Sequence, residues 1–153
     1  MRKLIWTIAL AASIGTAAPA LAQNAGVSVV SNNYIEKTTT DAAGKKKVTL
    51  APTDLVVPGD IVVFTHEYAN NGSTPATGFL INNPLSSQIE YVDSPDANIV
   101  VSVDGGKTFG KLASLKVGDR AATAADVTNL RWTFGQAIAP GAKGKVSFRG
   151  RLK

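Results

Sequence analysis

The chain has 153 residues, with 16 basic and 11 acidic side chains, a net charge of +5 and no cysteine. The lack of cysteine excludes disulfides, thiolate nucleophiles and zinc–cysteine sites, and it excludes lipid attachment to a cysteine after a signal sequence. The excess of positive charge is too small to favour a nucleic acid as the partner.

Residues 1–22 have the three regions of a secretory signal peptide. Arg2 and Lys3 precede an apolar stretch from Leu4 to about Ile14, and Ala20 and Ala22 are small residues that a signal peptidase accepts. A membrane anchor is the alternative, but the apolar stretch is shorter than the roughly 20 residues that span a bilayer. We expect cleavage after Ala22 and export to the periplasm, the cell surface or the extracellular space. The remaining 131 residues carry 14 basic and 11 acidic side chains, a net charge of +3.

Residues 23–57 are expected to contain one or two leading strands and a flexible connection. The segments "VSVV" and "KKVTL" are weak strand candidates. The polar stretch between them, residues 38–47, is typical of a mobile connection or a hairpin tip. Residues 23–36 could pair within the chain or add a strand to a neighbouring molecule, and the frequency of intrachain pairing favours the first.

Residues 58–153 are expected to form the core of the domain. Pro58, Gly59 and Asp60 predict a turn, and the strict alternation of "DIVVFTHEY" after it predicts a half-buried strand. We expect its larger side chains to face inward, and these are Val62, Phe64, His66 and Tyr68.

Later segments repeat this alternation. "NIVVSVD", "NLRWTFG" and "KVSFRGRLK" predict three further strands, and "GFLI" and "QIEYV" are weaker candidates. The inward residues are expected to be Ile99, Val101, Val103, Leu130, Trp132, Phe134, Val146, Phe148, Gly150 and Leu152. The Ala-rich segment "RAATAADVTN" predicts a loop with one helical turn. Six to eight short strands separated by turn signals predict an all-β antiparallel sandwich.

The segments "VVPGDIVVFTHEYANNGSTPATGFLINNPLSSQIEYV" and "VTNLRWTFGQAIAPGAKGKVSF" together resemble the conserved-repeat family named domain of unknown function 11. The resemblance implies an immunoglobulin-like sandwich of about seven to eight strands, of the kind found on bacterial and archaeal surface or secreted proteins. The chain departs from the family in having one copy instead of a tandem array. It also has His66 where an aliphatic residue is usual, and Ser86–Ser87 where a proline is common.

The stretch "VSVDGGKTFG" resembles the Asp box of sialidases and related propellers. Those proteins carry several copies in a much longer chain, where the motif is a structural hairpin remote from the active site, and this chain has one. Asp104, Gly105 and Gly106 are residues that favour a tight turn, since both glycines tolerate a positive φ. We therefore predict a hairpin here and not a catalytic or calcium-binding loop.

His66 is the only histidine in the sequence. It could act as a general base or a metal ligand, but no His, Cys or acidic cluster has ligand spacing around it. A histidine at the edge of the core, bonded to a neighbour, is therefore favoured. Asp93, Asp96 and Asn98 could supply oxygens to calcium, yet these residues are also typical of a turn. We predict no catalytic residue, no metal and no cofactor.

The last predicted strand carries a row of cations. Lys143, Lys145, Arg149, Arg151 and Lys153 occupy alternate positions and are candidates for contact with an anionic glycan surface. Cations on an exposed strand also prevent edge-to-edge aggregation, and the small net charge favours this second explanation.

The sequence thus favours a non-enzymatic exported protein that acts as a structural or interaction module of the cell envelope or the extracellular space. Other envelope proteins or anionic glycans are the expected partners. Two alternatives stay open: a filament subunit that assembles by strand addition, and a small secreted hydrolase.

Overall fold

The computed structural model describes residues 26–53 and 55–153, so the expected signal peptide lies outside the described residues. Most of the described chain is strand and every strand pair is antiparallel, which confirms the predicted all-β class. The strands are β1 (Val27–Thr40), β2 (Lys46–Ala51), β3 (Ile61–Asn70), β4 (Leu80–Pro84), β5 (Ile89–Asp93), β6 (Ile99–Ser102), β7 (Lys116–Val117), β8 (Arg120–Ala121), β9 (Asn129–Thr133) and β10 (Lys143–Leu152).

The strands form a five-stranded sheet in the order β2-β1-β3-β10-β5, a three-stranded sheet in the order β4-β9-β6, and a small β7-β8 ribbon. The two larger sheets share one hydrophobic core. Trp132 of β9 and Phe148 of β10 are fully buried with ring centroids 6.1 Å apart, so they join the two sheets.

The predicted inward faces agree with the observed burial in β3, β9 and β10, whereas after Val101 the alternation fails, because Ser102 is fully buried and Val103 lies beyond the end of β6. In β3, Val62 and His66 are 5% and 6% exposed, and Phe64 stacks on Phe148 with ring centroids 4.6 Å apart. Thr65 departs from the pattern, because it is 8% exposed although it points to the opposite face. It lies between Asn32 of β1 and Ser147 of β10, in the middle of the sheet, so strands cover it on both sides.

The leading segment pairs within the chain. β1 pairs with β3 from Val27 to Ile35, and beyond Ile35 it pairs only with β2. Residues 36–50 therefore form a two-stranded hairpin that extends past the start of β3, and we call this segment the hairpin arm. Its tip lies in the stretch expected to be a connection or a hairpin tip, and every residue from Lys37 to Leu50 is exposed.

The turn before β3 has the geometry that its residues favour. Asp60 donates its backbone N–H to the carbonyl of Val57 at 3.1 Å, and Gly59 has φ of 98°. Pro58 precedes that glycine, which is the residue order of a type II turn. The Gly59 N–H also bonds the Leu152 carbonyl at 2.8 Å, so the turn is attached to the end of β10.

Helix is limited to two short 3₁₀ turns, at Leu112–Ser114 and Ala124–Asp126, within the described residues. The second lies in the segment for which one helical turn was predicted. Asp126 closes a capping box with Thr123 and pairs with Arg120 at 2.6 Å. In residues 26–53 and 55–153, no helix has the length and apolar character that crossing a bilayer requires.

Candidate functional site

The cations of β10 lie on the outer face of the five-stranded sheet. Val146 and Phe148 of the same strand are buried, so the alternating residues point away from the core. β10 lies between β3 and β5, but among the described residues β5 pairs with it only from Arg149 to Leu152. Lys143 and Lys145 therefore lie on a part of β10 that has β3 on one side and no paired strand on the other, so protection of an open sheet edge remains the alternative reason for these two cations.

Lys143 and Lys145 lie at one end of that face and line a shallow depression of about 460 Å³. Both are exposed, and neither forms an ion pair with a carboxylate in the described part of the chain. Glu67 is the cross-strand neighbour of Lys145, and Val30 beside it is 57% exposed. The depression also includes Ser28, Tyr68, Ala69, Asn71 and Gly144. It therefore combines two cations, the Glu67 carboxylate opposite Lys145, hydrogen-bonding groups and an exposed aliphatic side chain.

Arg149 is already paired. Its Nε and Nη2 donate to the two carboxylate oxygens of Asp93 at 2.7 and 2.6 Å, and its Nη1 donates to Glu36 at 3.3 Å. The hydrogen bonds that Arg149 donates to Asp93, with a smaller contribution from Glu36, raise the Arg149 pKa above its ordinary value. These bonds tie β10 to β5 and β1, so Arg149 stabilises the sheet and is not available to an external anion.

Arg151 and Lys153 lie at the other end of β10. Arg151 pairs with Ile61, whereas Lys143 pairs with Ala69, eight residues further along β3. That separation is about 27 Å at the usual rise per strand residue. The five predicted contact residues are thus not one continuous row: an available pair lies at one end, a neutralised arginine follows, and two exposed cations lie at the far end.

His66 is buried and bonded to β1. Its Nδ1 lies 2.8 Å from the Ser31 Oγ, and its ring meets Trp132 edge-on with centroids 5.4 Å apart. The Nε2 atom is buried and has no hydrogen-bond partner among the described residues. Burial lowers the pKa of His66 below its ordinary value of 6.5, which favours the neutral ring.

A cavity of about 290 Å³ lies beside His66, between β1 and β4. Ser31 and His66 both line it, with Val29, Phe79, Leu80, Ile81, Asn82 and Asn83. A serine bonded to a histidine supplies two of the three residues of a nucleophilic triad. The third residue, a carboxylate in most triads, orients the histidine. In the described residues no carboxylate bonds His66. Asp96 instead accepts from Ser147 N–H and Trp132 Nε1 at 2.7 and 3.2 Å.

The "VSVDGGKTFG" stretch is a closed turn. Asp104 accepts the backbone N–H groups of Lys107 and Thr108 at 3.0 Å, and the Ser102 and Thr108 hydroxyls at 2.6 Å. These bonds, led by that of Ser102, lower the pKa of Asp104. Gly105 and Gly106 have φ of 78° and 88°. The carboxylate is thus occupied by its own turn, and the described residues contain no cluster of three ligating side chains here or elsewhere.

Sequence reasoning placed the cations of β10 on one face but missed the ion pairs that neutralise Arg149. It also missed the Ser31–His66 bond. Ser31 and His66 are 35 residues apart, and Arg149 and Glu36 are 113 apart. Neither contact has a local sequence signal.

Comparison of the chain with protein-family models, curated proteins and solved structures finds no match in any of the three.

Proposed function

We propose that this protein is an exported, non-enzymatic structural or interaction module of the cell envelope, with an immunoglobulin-like antiparallel β-sandwich fold. The signal-peptide pattern supports export, and the two sheets around one core support the sandwich. The envelope setting rests on the expected export, because no family model matches the resemblance of residues 58–152 to surface and secreted domains.

The observation that carries this proposal is the available pair Lys143 and Lys145 on the outer face of the sheet. Their ammonium groups lie beside a depression that also exposes Val30, Ser28 and Asn71. Ammonium groups attract carboxylate and sulfate groups, hydroxyl and amide groups bond sugar oxygens, and the aliphatic side chain packs on a sugar ring. An anionic glycan, or an acidic patch of another envelope protein, fits this combination.

The test is binding to dextran sulfate, with uncharged dextran as the reference ligand. Lys143→Gln/Lys145→Gln should weaken binding roughly 2- to 30-fold, because each exposed ion pair contributes about 0.2–1 kcal/mol. Lys107→Gln/Lys116→Gln is the matched control, since it removes the same charge from exposed loop and ribbon positions. Equal weakening by the two double variants would leave only a non-specific charge effect and would refute this surface.

Assembly by strand addition is the first alternative, and the free edge of β2 favours it. Among the described strands β2 pairs only with β1, and its Val48 and Leu50 side chains are 57% and 55% exposed. Open edges are templates for added strands. Sedimentation velocity should then show concentration-dependent association that Val48→Lys/Leu50→Lys abolishes. A monomer at every concentration removes this alternative.

A small secreted hydrolase is the second alternative, and the Ser31–His66 bond favours it. It predicts ester or glycan hydrolysis by the native protein that Ser31→Ala abolishes. Ser87→Ala, at an exposed serine, serves as the control. Equal rates for the native protein and Ser31→Ala remove the alternative.

A further inference from the structure

The hairpin arm carries a second group of cations, far from Lys143. Its four lysines, all exposed, are Lys37, Lys45, Lys46 and Lys47. On the opposing strand, Lys46, Lys47 and Lys37 face the threonines Thr40, Thr39 and Thr49, so no carboxylate lies across from them. The positive charge is therefore concentrated at the tip of the arm.

The two acidic residues of the arm are already engaged. Glu36 bonds Arg149 at 3.3 Å, at the base of the arm. Asp41 accepts the backbone N–H groups of Ala43 and Lys45 at 3.0 and 2.8 Å, so it closes the tip. Within the described residues, the lysines of the arm form no ion pair. Their charge is available to an external anion.

Two aliphatic side chains lie on the same strand as these lysines. Val48 and Leu50 share one face of β2 with Lys46, because every second residue of a strand points to the same face. They are 57% and 55% exposed, although β-strands in a folded domain usually bury such residues against a core. The arm is thus cationic at its tip and apolar beside it.

The hairpin arm projects beyond the strands that pack on the core, so it can contact an external surface. It runs five residues beyond the Ile35–Val62 pair, which is the last contact of β1 with β3. At the usual strand rise the strands extend about 17 Å past that point. The residues from Lys45 to Val48 therefore stand clear of the shared core, whereas Leu50 pairs with Glu36 at the base of the arm and lies beside Val63 and Arg149 on the outer face of the sheet.

We propose that the hairpin arm binds the surface of an anionic phospholipid bilayer. The lysines contact the phosphate groups, and Val48 and Leu50 enter the boundary between headgroups and acyl chains. A soluble polyanion would match the lysines and leave the aliphatic side chains in water, while an uncharged bilayer would leave the lysines without counter-charges. An anionic bilayer complements both features, and this inference does not depend on the Lys143–Lys145 surface.

The test is co-sedimentation of the exported protein, with its N-terminus identified by mass spectrometry, with vesicles. Phosphatidylcholine vesicles with and without phosphatidylglycerol are compared. Lys46→Gln/Lys47→Gln should lower the partition coefficient for the anionic vesicles roughly 30-fold, since each lysine near such a surface contributes about 1 kcal/mol. Lys107→Gln/Lys116→Gln should leave it nearly unchanged. Any residual signal segment is common to all variants and cancels in this comparison.

A second readout follows the aliphatic part of the arm. Leu50→Trp should show a blue shift of its fluorescence with anionic vesicles and none with pure phosphatidylcholine, because the indole leaves water only when the arm inserts. Thermal unfolding checks that each variant is folded. The proposal is overturned if native binding is absent, if the arm and control variants lose affinity equally, or if the Leu50→Trp emission does not shift. Binding to dextran sulfate through the arm without binding to vesicles also overturns it.

Discussion

At the scale of single residues, His66 couples the stability of the protein to pH. The ring is buried between Ser31 and Trp132, and burial lowers its folded pKa below the ordinary value of 6.5. The unfolded chain therefore binds a proton at a higher pH than the folded chain does. The stability from the neutral ring is fully present above about pH 6.5 and is lost as the pH falls from there through the folded pKa.

We predict that the free energy of unfolding decreases between pH 6.5 and the lower folded pKa of His66, and that His66→Phe removes this decrease. Denaturant unfolding at a series of pH values measures it. Ser31→Ala keeps the histidine and should keep the pH dependence. Because His66 is the only histidine, a slope that survives in His66→Phe would mean that another group is responsible.

Asp104 controls the local stability of its turn. We predict that Asp104→Asn lowers the melting temperature, because an amide cannot accept all the N–H and O–H donors that now converge on the carboxylate. Asp119→Asn is the control, at an exposed aspartate of another turn. Thermal unfolding followed by circular dichroism compares the two. An Asp104→Asn protein as stable as Asp119→Asn would show that the turn does not need the charge.

At the scale of the elements, β10 depends on a glycine for its pairing with β5. A β-bulge lies between Arg149 and Gly150, and a Cβ on Gly150 would meet the Ile89 side chain and the Phe64 ring, the ring at 3.3 Å. Gly150 thus allows β5 to approach the core side of β10 closely, and Arg149 holds the two strands together from the outer face through Asp93.

Gly150→Ala should therefore destabilise the protein by about 1–3 kcal/mol, the usual cost of overpacking a filled site. Chemical denaturation gives this value. Gly135→Ala is the control, because Gly135 has no atom within 4 Å of the added Cβ and no positive φ. A Gly150→Ala protein that is no less stable than Gly135→Ala would contradict this packing.

The sequence predicts the facing of β3, β9 and β10, because alternation is a local signal. It predicts the turns at Gly59 and Gly105 for the same reason, since their residue types restrict the backbone locally. Sheet order is not local: nothing near β10 indicates that it lies between β3 and β5. The strand order decides that Lys143 is available and that Arg149 is paired. Only the structure therefore distinguishes the available cation from the paired one.

At the scale of the whole molecule, two cationic surfaces lie at opposite ends of the five-stranded sheet. Lys143 and Lys145 lie beside Ala69, at the end of β3, and the hairpin arm begins beside Val62, near its start. Although the net charge is small, the positive charges are therefore unevenly distributed over the molecule. Such a distribution would allow one domain to contact two anionic partners at once, as the proposed envelope module requires.

The most direct test of the proposed function is the affinity of the protein for dextran sulfate at low and at physiological salt. The proposal predicts salt-sensitive binding that Lys143→Gln/Lys145→Gln weakens several-fold more than Lys107→Gln/Lys116→Gln does, because only the first pair lies in the depression on the sheet face. Absence of binding at both salt concentrations, or equal weakening by the two double variants, would contradict it.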